Sequence, residues 1–135
     1  MLLLTSMAHP LPANNMNQAV FSIKPRFAEL ILDGNKQYEF RKRAPTFPVS
    51  KIIVYSSAPV RAVVGHFSVG SIQYKSIEAL ADMASTNTRQ YVREYFRGRK
   101  FGFAIEIVNP IRYKRIKTLL DLGIKCAPQS FCYVS

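Results

Sequence analysis

Acidic side chains are scarce: eight Asp and Glu stand against 19 Lys and Arg in 135 residues, a formal net charge of +11. That imbalance points to a polyanionic partner, a solubility charge without function being the plain alternative. Uncompensated positive charge repels itself in the free protein and is relieved on phosphate. Uncharged apolar runs near the ~18 residues of a spanning helix are also missing, which excludes a helical membrane protein. Leu2 to Leu4 are preceded by no basic segment and are too few for a signal-peptide core. Cysteine is limited to Cys126 and Cys132, and histidine to His9 and His66. No zinc-ribbon spacing results, no metal or cofactor is called for, and a cytoplasmic protein with reduced thiols is the default expectation, a local disulfide between the two being the alternative.

What is present describes one folding domain. The length matches a single unit of about 150 residues, and 48% hydrophobic with 20% charged residues describes a globular chain rather than a disordered one. Residues 1–18, with Pro10, Pro12, Asn14 and Asn15, read as a frayed leader, within which Met7 and Met16 are alternative starts. From Ala19 the pattern becomes regular. Ala19 to Ile23 reads as a strand; Pro25 opens a helix whose Phe27, Leu30 and Ile31 share a face, and Gly34 closes it. Gln37 to Arg41 alternates as a half-buried strand with its polar residues on one side. Lys51 to Ser56 and Arg61 to Lys75 follow as strands, Gly65 and Gly70 marking bends or bulges in the second. Helices are predicted near residues 76–83 and 88–97, a strand over 101–107, a turn at Asn109-Pro110 with the strand resuming over 111–115, a short turn near Leu119 to Leu122, and a last strand over 130–134. The count favours a small α+β domain with a curled or barrel-like sheet.

The densest polar constellation is Gly34-Asn35-Lys36-Gln37-Tyr38-Glu39-Phe40-Arg41. Lys36 stands at the mouth of the helix-to-strand turn, and Glu39 and Arg41 project from the same strand face. An ammonium and a guanidinium suit phosphate or base oxygens, and a carboxylate orients them or accepts from a base edge. A solvated pair at i, i+2 is the plain alternative. Three basic groups surround this picture: Arg41 to Arg43; Arg89, Arg93 and Arg97 at helical spacing with Arg99 and Lys100; and Arg112, Lys114, Arg115 and Lys117. Tyr91, Tyr95 and Tyr113 are interleaved with them as stacking or core residues, while Phe96, Phe101 and Phe103 are expected in the core. His66 reads as structural or surface, with the edge of a cleft as its alternative.

The pattern G-x-K-x-x-E-x-R after a short strand and an amphipathic helix resembles the ASCH domain, a family of PUA-like β-barrels. The resemblance runs from Ala19 to Val134. It implies a small barrel with flanking short helices and a cleft beside the first helix that binds RNA or a nucleotide, with DNA as an alternative partner and a role in RNA metabolism or regulation, transcription included. Carried over by position, Lys36, Glu39 and Arg41 line that cleft, Gly34 shapes its wall, and Lys24 and Arg43 are neighbours. It also implies two catalytic alternatives, in which Lys36 and Glu39 are the candidates. Some relatives remove the acetyl group of 4-acetylcytidine with a motif reading G-x-K-x-x-T-x-R. Here Glu39 stands in the threonine position, and Met83 to Thr88, where a further glutamate belongs, holds no carboxylate. Other relatives are ribonucleases, and Lys36, Glu39 and Arg41 could supply a base and charge stabilisers.

Overall fold

The computed structural model describes residues 18–134. Of the expected leader, residues 1–17 lie outside the described residues, and Gln18 already belongs to the first strand. In chain order the elements are β1 (Gln18–Ile23), α1 (Pro25–Leu32), β2 (Tyr38–Arg41), β3 (Lys51–Ser56), β4 (Ala62–Ser76), α2 (Ile77–Met83), a 3-10 turn (Thr86–Thr88), α3 (Arg89–Tyr95), β5 (Phe101–Lys117), a 3-10 turn (Leu120–Leu122) and β6 (Phe131–Val134). The strands form one six-stranded sheet in the order β2-β5-β4-β3-β1-β6. β1 and β3 run parallel and the other neighbours antiparallel.

β1 and β3 read as nearly continuous apolar runs because both of their faces are covered. Ala19, Phe21, Ile23, Ile52 and Val54 meet Phe27, Ala28, Ile31 and Leu32 of α1. On the opposite face, Val20, Ile53 and Tyr55 pack with Val63 against Leu119, Leu122 and Ile124 of the C-terminal segment. A third cluster joins α2 and α3, through Leu80, Ala81, Val92 and Phe96, to Ala104 of β5 and to Tyr38 and Phe40 of β2.

The sheet is open, which corrects the expected closed barrel. Register shifts near Gly65 and Gly70 bend β4 as the glycines suggested. At Gly65 a Cβ would lie 2.4 Å from the Ile111 carbonyl oxygen, so only glycine admits that approach. The curl does not bring β2 and β6, the two edges, into a backbone ladder. Side chains span the gap: Arg41 of β2 donates to the Ser22 carbonyl on β1 and to Ser130 beside β6. Tyr133 of β6 accepts from the amides of Thr46 and Phe47, just beyond β2. A second correction concerns Asn109-Pro110, which is no turn. β5 continues through it for 17 residues, Asn109 taking a left-handed φ of 51° that asparagine tolerates.

Candidate functional site

α1 starts on Pro25, which needs no amide partner in the first turn, and ends where Gly34 takes φ +81°. The Gly34 and Asn35 amides donate back to Ile31 and Leu30, turning the chain sharply into β2. β2 then sends Tyr38 and Phe40 toward α2 and α3, and Glu39 and Arg41 to the other face. The polar face of the strand is the buried one: Glu39 is 6% exposed and Arg41 8%.

A carboxylate at that depth survives only with its lone pairs filled and its charge met. Lys36 Nζ donates to Glu39 Oε1 at 2.8 Å and to the Tyr38 carbonyl at 2.5 Å. Arg41 donates to Glu39 Oε2 at 3.1 Å, to the Ser22 carbonyl at 3.3 Å, and to the carbonyl and hydroxyl of Ser130 at 3.0 and 2.8 Å. Burial alone would raise the Glu39 pKa, but the charges of Lys36 and Arg41 and their hydrogen bonds outweigh it and hold the carboxyl below its ordinary value. The Glu39 carboxylate is therefore ionised and held between two cationic side chains.

Above this floor opens a cleft of about 590 Å³, within the usual range of small-ligand sites. Seven cationic side chains line it, Lys24, Lys36, Arg41, Lys42, Arg43, Arg61 and Arg99, against the single carboxylate of Glu39. Lys24 and Lys42 lie over the rings of Tyr91 and Tyr95, at 5.7 and 4.8 Å from their centroids. Those two tyrosines of α3 stack on each other and, with Phe27, Phe40 and Pro128, give the wall a flat apolar surface. Burial raises the Tyr95 pKa, so its hydroxyl stays protonated while accepting the Lys42 amide. Aromatic faces beside clustered cations can hold a planar base and its phosphate together.

Lys24, Lys36, Glu39, Arg41 and Arg43 thus share one cleft, whereas Gly34 is not among its lining residues and acts through the turn. Arg61, Ser22 and Ser130 were not foreseen as site residues. Arg61 follows the Ala58-Pro59 turn with φ 53° and extends the cationic rim. The other basic groups are partly neutralised. Arg93 pairs with Glu78, Arg97 with Glu94, and Arg112 with Glu29 and Asp33 of α1. His66 bonds the Tyr113 hydroxyl at 2.8 Å away from the cleft, its pKa pushed down by burial and by Lys51 and Lys117. Cys126 and Cys132 are free thiols. Met83, Ala84, Ser85 and Thr88 border a smaller adjoining pocket of about 290 Å³, and no carboxylate lines it. Phe96 is buried as expected, but Phe101 is 48% exposed, overturning its expected core position. Gly102 and Ala104 face the helices, and strand alternation turns Phe101 to the other face of β5.

Among the described residues no cluster of three or more His, Cys, Asp or Glu assembles, and no helix is long and apolar enough to cross a membrane. The family model described as ASCH domain matches residues 21–117. The chain is 30% identical to a protein of Zymomonas mobilis named ASCH domain-containing ribonuclease, over 82% of this chain and 79% of that one. It is 29% identical to a protein of Ureaplasma parvum named ATP synthase subunit alpha, over 85% of this chain but only 15% of that protein's length. The crystal structure of ASCH from Zymomonas mobilis superposes with a TM-score of 0.77 at 27% identity, covering 90% of each chain.

Proposed function

The chain belongs to the ASCH domain family, and from that premise we propose that it binds single-stranded RNA in the cleft over Lys36, Glu39 and Arg41. The observation that carries this reading is the lining itself: seven cations and stacked tyrosines converge on one concave site with a single carboxylate. The buried triplet is a positioning element. With both Glu39 oxygens occupied and Lys36 left with one N–H to offer, it fixes the shape and sign of the floor. Arg43, Arg61, Lys42 and Lys24 supply movable phosphate contacts at the rim. If about four to six phosphates are engaged, log K should fall against log salt with a slope of roughly −3 to −4.

The test is fluorescence anisotropy with a labelled 2′-fluoro oligouridylate across a salt series. Arg43→Ala with Arg61→Ala should lower the affinity and flatten the slope by about one to two units while leaving the thermal midpoint unchanged. A flat wild-type slope, or a double variant that binds as tightly as the parent, rejects the reading.

A ribonuclease reading is favoured by the Zymomonas mobilis relative's name. The cations suit a pentavalent phosphate, but Glu39, ionised and doubly hydrogen-bonded, is a weak proton acceptor. Incubation of purified protein with unmodified RNA decides it: fragments absent from the Lys36→Ala reaction establish cleavage, and intact RNA in both reactions leaves binding alone.

A further inference from the structure

Away from the cleft, the sheet carries aromatic side chains that the core does not need. Tyr74 on β4 is 62% exposed and Phe101 on β5 48%. Their rings stack with centroids 5.5 Å apart, and Tyr74 lies 4.8 Å from the half-buried Phe103. Register places these rings relative to the cleft. Tyr74 pairs with Phe103, and Phe103 pairs with Arg41, so the three form a row across β4, β5 and β2. A Cβ on Gly102 would strike Phe96, so Gly102 faces α3, and strand alternation puts Phe101 and Phe103 on the opposite face. Arg43 follows Arg41 by two residues and Arg99 precedes Phe101 by two; both line the cleft, and neither forms an ion pair among the described residues. The aromatic strip is thus joined to the cleft through Arg41 by strand register and through Arg99 along the chain.

We propose that Tyr74 and Phe101 form a stacking platform for the nucleotides of single-stranded RNA that lie outside the cleft, Arg43 and Arg99 holding the phosphates between the two. The inference rests on the reading of the cleft as an RNA site and adds a second, length-dependent contact to it. Exposed rings offer a π-face to any base, whereas unpaired cations beside them favour an anionic strand over a second copy of a chain carrying +11.

The experiment compares uridine monophosphate with a 2′-fluoro octauridylate on the full chain, reading affinity together with quenching of tyrosine fluorescence. The wild type should bind the octamer more tightly than the mononucleotide. Tyr74→Ala and Phe101→Ala should each weaken the octamer by about 5- to 150-fold. Neither change should alter mononucleotide affinity or the thermal midpoint, and Tyr74→Phe should retain octamer binding. Equal loss for both ligands, or an octamer affinity unmoved by either alanine, overturns the platform while the cleft stands. Failure of the wild type to bind either ligand overturns the cleft and the platform together. A sedimentation shift from dimer to monomer in Tyr74→Ala, with RNA binding unchanged, overturns it in favour of self-association.

Discussion

Replacing Arg41 by lysine keeps the charge beside Glu39 and removes the planar fork. In the native chain that fork reaches Glu39 and Ser22 through one nitrogen and the carbonyl and hydroxyl of Ser130 through the other. A lysine ammonium can sit against Glu39 or against Ser130, not both. Hydrogen bonds to a charged group contribute about 1.5–3 kcal/mol each when their partners are buried. The Ser130 end is only partly buried, so Arg41→Lys should cost about 2–3 kcal/mol. Arg41→Ala, which leaves Glu39 with Lys36 alone, should cost about 3–5 kcal/mol. With an unfolding entropy of about 2.1 cal/mol/K per residue, the lysine variant should melt roughly 7–10 °C below the wild type. Urea denaturation followed by far-UV circular dichroism measures this directly. Ser130→Ala supplies the cycle: in that background Arg41→Lys should cost about 1 kcal/mol less, because the bond to the hydroxyl is already gone while that to the backbone carbonyl remains. A loss below about 0.5 kcal/mol, well under a buried charge-assisted bond, or strict additivity with Ser130→Ala would refute the claim that Arg41 joins the two sheet edges.

Further outcomes follow from the same geometry. Glu39→Gln should destabilise the fold at neutral pH and remove part of its acid sensitivity. The carboxyl's folded pKa is depressed, so its contribution is present above about pH 4.3 and is lost as pH falls through the folded value; a variant with an unchanged acid limb contradicts this. His66 also has a depressed folded pKa, so the neutral ring is the one that stabilises. Stability should begin to fall as pH drops below about 6.5, and His66→Gln should soften that first limb in the same titration. Arg61 holds a left-handed φ without being glycine, so Arg61→Gly should raise stability by about 0.5–1 kcal/mol while weakening RNA binding; a stable variant with undiminished affinity would take Arg61 out of the rim's function.

Local features were legible in the sequence where the cause is local. Pro25, the Phe27-Leu30-Ile31 face and Gly34 define α1 within ten residues, and β2 alternates as its composition demands. That Glu39 and Arg41 share a face was readable from period two; that the shared face is the buried one was not. Its burial depends on Ser22 and Ser130, partners 19 and 89 residues from Arg41, which no short window connects. The same distance rule hid the neutralisation of Arg112 by Glu29 and Asp33 of α1, so one member of a charge cluster that reads as free in sequence is paired in the fold. Strand alternation predicts Phe101 in the core, yet alternation specifies only that the two faces differ. Which face is covered depends on the side against which α2 and α3 pack. The barrel expectation failed for a related reason: glycines and bulges bend a sheet, but closure requires two edges to meet in register.

The side chains that bridge those edges are also the floor of the cleft, which makes edge opening and ligand occupancy linked equilibria. Whatever engages Lys36, Glu39 and Arg41 in the closed arrangement stabilises it by RT ln(1 + [L]/Kd), and that gain is shared by every amide whose exchange requires the edges to part. Amide exchange in β2 and β6 therefore reports on an event in the cleft without any reporter group placed there, and their protection should rise with ligand concentration while that of the central β3 and β4 barely changes.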